Sequence, residues 1–341
     1  MKTILFPFSV DDYGLCYDYC KHHQDTVIAS FYGTSYIGKD LSYCLNKEDT
    51  GIVIHDIYEV IKDANKLIVL ENEISKENSK LIEKLVNDYS NCLEIETFID
   101  INVEKRCNIR NIPPMTFNDW DDKNYYYPTI PIIFVSSLIP SKDSEFVIFK
   151  LCDYLEKENL CVSCLMKRNN CQLNNCFIIP KEFRNGRYSS EQATFMLNKY
   201  IRNIVEKENP DVLVIELNDG MLRYNEELMN TFGIYNYMIS EAVKPDYNIV
   251  ILSSQELDND FLANLDKYSS RKFDAPIDAI HVTNAIKINS GDFAYNFIGM
   301  IANISSDKLF NDYDISSSSI LIGSFENDIY VSNVIDKMFN N

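Results

Sequence analysis

The sequence predicts an α/β protein of two domains, each built around a largely parallel sheet. Short apolar runs with the length of buried strands alternate with longer amphipathic segments, the pattern of strand–helix–strand units. The chain of 341 residues is long enough for two hydrophobic cores, and the alternation stops between residues 107 and 131. We therefore expect a Rossmann-like domain at residues 1–110, a linker at 111–130 and a P-loop-like domain at 131–341.

The clearest strand–loop–helix unit is PIIFVSSLIPSKDSEFVIFKLCDYLEKENL, at residues 131–160. It predicts a buried strand at 132–136 and a helix at 143–158 with one apolar face. In nucleotide-binding α/β domains this junction holds the phosphate loop, where glycines admit the phosphates and a lysine neutralises them. Here the loop has no glycine, and Asp143 follows Lys142. The pattern indicates a degenerate P-loop scaffold. The run VIE, ending in Glu216 and followed by a loop with Gly220, resembles the corresponding run of dethiobiotin-synthetase-like folds.

The remaining elements are predicted from the same two periodicities. We expect further strands at residues 2–8, 26–32, 51–55, 66–70, 160–165, 176–179, 211–216, 234–238, 248–252 and 277–282. We expect further helices at residues 11–23, 75–89, 190–208, 257–270 and 324–339. The helix at 190–208 has the most complete apolar stripe, and Pro210 ends it.

Charge and cysteine content narrow the classes of function. The net charge of −19 argues against binding to nucleic acids or anionic membrane surfaces, because both need basic side chains. It favours a basic partner, or simply keeps the protein in solution. No apolar run approaches ~18 residues, which argues against a membrane-spanning helix. Ten cysteines without an export signal predict free thiols and a cytoplasmic location.

Polar residues in the loops that follow predicted strands outline a candidate pocket, since parallel sheets build pockets at their carboxyl edge. Glu216 ends a strand where a phosphate-loop enzyme keeps its metal-binding acid. Turn chemistry explains the segment 218–246 equally well, with Gly220 and Gly233 at positive φ and Asn230 or Ser240 as helix caps. The candidate residues are Ser136, Ser137, Lys142, Asp143, Glu216, Asp219, Gly220, Asn230, Gly233, Ser240 and Glu241. No catalytic residue is assigned.

Four cysteines in one short stretch raise the question of a metal site. They are Cys161, Cys164, Cys171 and Cys176. Four thiolates suit tetrahedral zinc, but Cys161 and Cys164 lie three apart in a strand-like run and should point to opposite faces. We expect buried thiols here, and a thiol-bound metal is the weaker alternative.

A second group, Cys16, Cys20 and His23, has spacing similar to a radical-SAM cluster loop with its last cysteine replaced. Such a cluster needs three thiolates, so we interpret Cys16 and Cys20 as neighbours on a helix. None of the four histidines lies beside a nucleophile elbow. We therefore interpret all four, including His281, as structural.

Three segments together carry a resemblance to a known family. They are PIIFVSSLIPSKDSEF, VSCLMKRNNCQLNNCFIIPKEF and PDVLVIELNDGMLRYNEELMNTFGIYNYMISEAVKPD. The chain resembles peptide maturation system proteins, encoded beside small Cys-rich, bacteriocin-like precursor peptides and their radical-SAM maturases. The resemblance covers about residues 131–252, and the N-terminal half more loosely. Residues that match the family pattern are Arg168, Asn169, Cys171, Pro180, Phe183, Asn230, Phe232, Gly233, Pro245 and Asp246.

The resemblance implies an N-terminal α/β domain followed by a P-loop-like domain, and a pathway rather than a reaction. The chain departs from the pattern after Val135, where glycines are missing, and at Asp219 and Gly220, where a Gly-Gly pair is expected. We expect an accessory protein without cofactor that binds or presents the precursor peptide or the radical-SAM maturase. The alternative is an ATP-dependent ligase or synthetase-like enzyme with a divergent phosphate loop. The peptide, its modification and the oligomeric state stay open.

Overall fold

The protein is an α/β fold with two largely parallel sheets, as the sequence predicts. The computed structural model describes residues 2–45, 47–72, 75–99, 109–112, 115–117, 124–138, 141, 143–217, 219–223, 230–253, 259–283 and 320–340. Unit 1 comprises Met1–Pro114 and Arg168–Asn174, and unit 2 comprises Met115–Lys167 and Asn175–Asn341. Within the described ranges, no helix has the length and apolar character that crossing a membrane requires.

Unit 1 contains a six-stranded sheet whose neighbouring strands pair in parallel. Its elements are β1 (Thr3–Phe6), α1 (Tyr13–His22), β2 (Thr26–Ser30), β3 (Ile54–Asp56), α2 (Ile57–Val60), β4 (Lys66–Val69), α3 (Lys76–Tyr89), β5 (Glu94–Thr97) and β6 (Ile109–Asn111). The strand order β3-β2-β1-β4-β5-β6 is that of the Rossmann fold. The order reverses between β1 and β4, and a ligand crevice is expected at their carboxyl ends.

Local sequence explains most of these elements. Ile4, Leu67 and Ile95 are completely buried on three adjacent strands and belong to one apolar core. Ser75 caps α3 by accepting a hydrogen bond from the backbone N–H of Asn78 at 3.2 Å. Strand β6 falls in the stretch where the sequence shows no periodicity, so the pattern did not predict it.

Unit 2 contains a seven-stranded sheet with the order β13-β12-β11-β7-β10-β8-β9. Its elements are β7 (Ile132–Ser137), α4 (Ser144–Lys157), β8 (Val162–Met166), β9 (Phe177–Ile178), α5 (Ser190–Glu208), β10 (Val212–Leu217), α6 (Ile234–Ala242), β11 (Tyr247–Ser253), α7 (Asn259–Phe273), β12 (Ala279–Thr283), β13 (Leu321–Gly323) and α8 (Asp328–Asn340). The chain leaves β7 for β8 on one side of the sheet, and later leaves β10 for β11 on the other. This reversal puts the expected ligand crevice at the end of β7.

The two clearest predictions from the sequence are confirmed. Every residue of β7 is buried, and α4 packs against β7, β8 and β10. Helix α5 begins after Ser189, whose side chain exchanges hydrogen bonds with Gln192 in a capping box. It ends at Asn209, which takes a left-handed conformation with φ 48° one residue before Pro210.

One predicted strand is wrong. Residues 234–238 belong to helix α6 and not to a strand. Alternation of aromatic and apolar residues is typical of strands, but the buried apolar side chains Met238, Ile239 and Ala242 follow the helical spacing instead. They pack into the same core as β7, β10 and α5, and this tertiary packing outweighs the local preference.

Candidate functional site

Hydrogen bonds connect the carboxyl end of β7 to strand β11 and to the loop after β10. The hydroxyl of Ser136 is buried and donates to Oδ1 of Asn248 at 3.3 Å. The carbonyl of Ser137 accepts from the N–H of Met221, in the loop after β10, at 2.9 Å. Both serines occupy positions that a phosphate loop would leave open, and both are buried between strands.

Asp143 lies at the N-terminus of α4, the place where a phosphate would bind in a nucleotide-binding relative of this fold. Its carboxylate is buried, and Oδ2 accepts a hydrogen bond from the hydroxyl of Thr283 at the end of β12. Its N–H donates to Oγ of Ser141 at 3.1 Å, which holds the turn before the helix. Because α4 presents a partial positive charge at this end, the buried acid is electrostatically favoured there.

His281 faces the same carboxylate from β12. Its Nε2 atom lies 3.6 Å from Oδ2 of Asp143, and both side chains are 1% exposed. The other ring nitrogen, Nδ1, accepts the backbone N–H of Phe325 at 3.0 Å. An accepting Nδ1 carries no proton, so the proton of the neutral imidazole is on Nε2. The 3.6 Å between Nε2 and Oδ2 of Asp143 is a close contact and is longer than a hydrogen bond. The residue that His281 contacts is the one that follows Lys142 in the sequence.

Unit 1 carries a second buried acid at the equivalent place. Asp12 lies at the N-terminus of α1, the first helix after β1, and is completely buried. Its carboxylate accepts hydrogen bonds from the N–H of Ser9 at 3.0 Å and from Nδ2 of Asn72 at 2.9 Å. Asn72 follows β4, so these bonds span the point where the strand order reverses. The crevice expected for a dinucleotide contains an acid of the protein itself.

The segment Arg168–Asn174 completes the environment of Asp12. Arg168 donates through Nη2 to Asp12 and through Nη1 to the carbonyl of Asp11. Asn170 donates to Asp12 at 3.2 Å, and its Oδ1 accepts the N–H of Glu71 at 2.7 Å. Sequence reasoning missed Asp12, because only Ser9 is a local partner and the side chains of Asn72 and Asn170 lie 60 and 158 residues away along the chain.

Glu216, at the end of β10, is completely buried. Its Oε2 accepts the backbone N–H of Lys167 at 2.8 Å, while Oε1 has no hydrogen-bond partner among the described residues. Asp219 lies close by along the chain and pairs with Lys167 Nζ at 2.6 Å and with Arg184 Nη2 at 2.7 Å. Lys167 therefore contacts both predicted acids, through its backbone N–H to Glu216 and through Nζ to Asp219. Asp219 forms ion pairs with Lys167 and with Arg184.

Two glycines shape the loop after β10. Gly220 has φ +78°, and its carbonyl accepts Nδ2 of the buried Asn236 at 3.2 Å. Gly233 has φ +66°, and a Cβ atom there would lie 1.9 Å from the carbonyl oxygen of Met221. The prediction that both glycines occupy turns with positive φ is confirmed.

The other candidate residues do not converge on one pocket. Ser240 is not a helix cap: it lies inside α6 and donates to the carbonyl of Tyr237 at 2.8 Å. Glu241 is exposed and pairs with Lys244 at 3.0 Å. Asn230 starts the short turn before α6. Lys142 lies outside the described residues.

The four cysteines considered in the sequence differ in burial, and one of them contacts a cysteine outside that set. Cys161 is exposed whereas Cys164 is buried, as their spacing in a strand requires. Cys171 is buried in unit 1. Cys152, which the sequence analysis did not include, lies on α4 with its Sγ 2.9 Å from Sγ of Cys164. Its place in the chain, on the helix before β8, gives no local signal of this pairing.

The cysteines of α1 behave as helical neighbours. Cys16 and Cys20 both lie in the helix, and His23 follows its last residue. Burial raises the pKa of the Cys20 thiol to about 12, so it is protonated at neutral pH. The helical spacing of Cys16 and Cys20 is thus as the sequence predicts.

Comparisons with known proteins identify a similar fold. A crystal structure of a DUF1611 family protein from Anabaena variabilis matches with a TM-score of 0.61 and 8% sequence identity, covering 100% of this chain and 99% of that one. An apo GTPase from Pyrococcus abyssi matches at a TM-score of 0.35 and 15% identity, covering 61% and 96%. A plasmid partition protein from Borrelia burgdorferi matches at 0.35 and 14%, covering 62% and 98%.

These similarities extend to the fold and not to activity. The match to the Anabaena variabilis protein runs over both units, but at 8% identity it indicates architecture alone. The TM-scores of the other two proteins are too low to support an argument. No family model matches the chain, and no curated protein matches its sequence.

Proposed function

We propose that this chain is an accessory protein of a ribosomal-peptide maturation system, which binds or presents the precursor peptide or its modifying enzyme and does not use a nucleotide. The observation that supports this most is the buried Asp143 at the N-terminus of α4. Its partners Thr283 and His281 come from the chain itself. The acid supplies the negative charge that a phosphate would otherwise bring to the helix.

Electrostatics argue against a triphosphate at this place. Two like unit charges 4 Å apart repel by about 4 kcal/mol at an effective dielectric constant of about 20. A triphosphate bound beside a carboxylate at Asp143 would meet this repulsion without glycines to donate backbone N–H groups. Asp12 has the same place in unit 1 and is likewise completely buried. Both expected crevices thus hold a fixed acid.

A surface on helix α6 supports peptide binding. Phe232, just before the helix, is 52% exposed and adopts a left-handed conformation with φ 55°, which is rare for an aromatic residue. Ile234 and Tyr237 are also exposed, and they share one side of α6 with Glu241. An apolar stripe that ends in an acid suits a peptide with apolar residues followed by a basic one.

Binding of the encoded precursor peptide tests this proposal. The full chain and the fluorescently labelled peptide would be mixed, and binding followed by anisotropy. We expect saturable binding that is weakened at least about tenfold in Phe232→Ala and Tyr237→Ala, since buried aromatic anchors dominate such interfaces. Ile329→Ala is the matched control, because Ile329 is 74% exposed on another helix of the same unit. Absence of binding at micromolar concentrations would count against the proposal.

A second candidate is an ATP-dependent ligase or synthetase-like enzyme. It is favoured by the buried Oε1 of Glu216, which has no hydrogen-bond partner within the described chain and lies beside β7, where a metal-binding acid would be expected. A melting experiment with magnesium and ATP separates the two functions. A ligand at about 100 times its Kd stabilises the folded state by about 2.7 kcal/mol, so a flat response excludes this enzyme.

A further inference from the structure

Three cysteines of unit 2 lie together where α4 covers the edge of the sheet. Strands β8 and β9 pair in parallel, with Leu165 opposite Phe177. One residue earlier on each strand, the same register puts Cys164 opposite Cys176. Residues paired in this way point to the same face of a sheet, so the two thiols are neighbours.

Cys152 approaches this pair from α4. Its Sγ lies 2.9 Å from Sγ of Cys164, and all three thiols are buried. Cys164 is therefore the central sulfur, with one neighbour on the helix and one on the adjacent strand. This group differs from the four cysteines that are close together in the sequence, because it includes Cys152 and does not include the exposed Cys161.

The arrangement also favours reactivity at the central sulfur. Hydrogen bonds from Cys152, and then from Cys176, lower the pKa of the Cys164 thiol well below its ordinary value, and burial opposes them. A thiolate is the form of cysteine that attacks electrophiles. A small oxidant is the electrophile best suited to a buried thiol, since a bulky one would not reach it.

We propose that Cys152 and Cys164 are an oxidation site at which a hydroperoxide forms a disulfide, with Cys176 as an alternative partner. The Cys164 thiolate attacks one peroxide oxygen and the O–O bond breaks. With hydrogen peroxide the other oxygen leaves as hydroxide and takes up the proton that the Cys164 thiol released, which gives water; an organic hydroperoxide gives an alcohol in the same way. Cys164 becomes a sulfenic acid. The sulfur of Cys152 then attacks Cys164, the S–O bond breaks, and the hydroxyl leaves with the Cys152 proton as a second water.

The electrons balance without another reactant. The two thiols lose two electrons in total, and the hydroperoxide is reduced by two. An S–S bond is about 2.05 Å long, so the sulfurs must approach by less than about 1 Å, which side-chain rotation can supply. This site goes beyond the proposed peptide-binding function and does not depend on it.

Peptide mapping tests the site on the full, reduced chain. Hydrogen peroxide would be added in equimolar amount, and free thiols then blocked with N-ethylmaleimide under denaturing conditions. Digestion without reductant and mass spectrometry should find a peptide pair linked through Cys152 and Cys164. In Cys152→Ser the link should move to Cys164 and Cys176, and Cys161→Ser should leave the wild-type link unchanged.

Two results would overturn the proposal. One is a map in which Cys152 and Cys164 remain fully alkylated while the exposed Cys161 is oxidised. The other is an equimolar amount of zinc or copper in the purified protein that is lost in Cys164→Ser, which would make the group a metal site. The first result needs no variant, because the map of the wild-type chain decides it.

Discussion

Nε2 of His281 lies 3.6 Å from Oδ2 of Asp143, with both side chains 1% exposed. The pair joins the end of β12 to the first turn of α4, at the point where related folds bind phosphate. The place that a ligand would fill is thus stabilised by a contact within the chain. Oδ2 of Asp143 also accepts a hydrogen bond from the hydroxyl of Thr283, so two residues of β12 contact this carboxylate.

Removing Asp143 should destabilise unit 2. In Asp143→Ala the buried hydroxyl of Thr283 loses the carboxylate oxygen that accepts its hydrogen bond, and leaving a buried donor unsatisfied costs about 1–3 kcal/mol. Urea denaturation followed by far-UV circular dichroism measures the change in the free energy of unfolding. Glu156→Ala, an exposed acid on the same helix, is the control and should change stability by less than about 0.5 kcal/mol.

The double variant decides whether the two side chains act as a pair. The double variant Asp143→Ala/His281→Ala should lose less unfolding free energy than the sum of the two single variants, by at least about 1 kcal/mol. The reason is that the contact between the two side chains is already lost in either single variant. Additive effects would show that Asp143 and His281 stabilise the fold independently.

Arg168→Lys should loosen the environment of Asp12. Arg168 donates to Asp12 and to the carbonyl of Asp11 through two separate nitrogens, and a lysine ammonium cannot reproduce this planar geometry. We expect a loss of about 1–2 kcal/mol, seen as faster hydrogen exchange of the Glu71 amide that bonds to Asn170. Arg187→Lys, an exposed arginine, is the control, and equal exchange in both variants would contradict the assignment.

Gly233→Ala should be far more damaging than Gly186→Ala. Both glycines have positive φ, which costs an alanine about 1–2 kcal/mol. At Gly186 a Cβ meets nothing within 4 Å, whereas at Gly233 it would overlap the backbone of Met221. We expect an additional loss of about 1–3 kcal/mol at Gly233 in urea denaturation, and similar losses at both sites would refute the close approach.

The stabilisation from Asp40 should depend on pH. Burial alone would raise the pKa of Asp40, but hydrogen bonds from Ser42 and Thr50 bring it well below its ordinary value of 3.8. The unfolded chain therefore takes up this proton first as the pH falls, so the stabilisation is complete above 3.8 and declines below it.

Comparison with Asp40→Asn measures this dependence. The melting temperature of the wild type should exceed that of the variant at about pH 7, and the gap should narrow towards about pH 3. Because solvent screens this partly exposed carboxylate, the gap should correspond to less than about 1 kcal/mol. A gap that is constant or grows on acidification would contradict the assignment. Both proteins need the same ionic strength, because screening alters charge contributions.

The sequence predicted the elements that local periodicity determines. The strand β7, the helix α4 and the capped helix α5 were all found close to their predicted bounds. The apolar residues of the two helices repeat with a helical period. The capping residues of α5, Ser189 and Gln192, are only three positions apart. The short strands β6 and β13 were missed because three residues each cannot establish a period.

The site could be predicted only in part. The absence of glycine and the acid after Lys142 were visible, but the partners of Asp143 lie 140 residues away and could not be inferred. Asp12 was missed for the same reason, since its partners Asn72 and Asn170 are far away along the chain. Cys152 lies only 12 residues from Cys164, but it is on a helix and its partner is on a strand, so no single period relates them. The helix at Ile234–Ala242 was mistaken for a strand because packing against the core decided its conformation.

The central claim is that a buried acid takes the place of phosphate at the first turn of α4. Titration of MgATP and MgGTP into the full chain by calorimetry tests it most directly. We predict no saturable heat for either nucleotide, since Asp143 repels the phosphates and the loop offers no glycine. Saturable binding of one nucleotide per chain that is abolished in Lys142→Ala would contradict the claim and favour a synthetase.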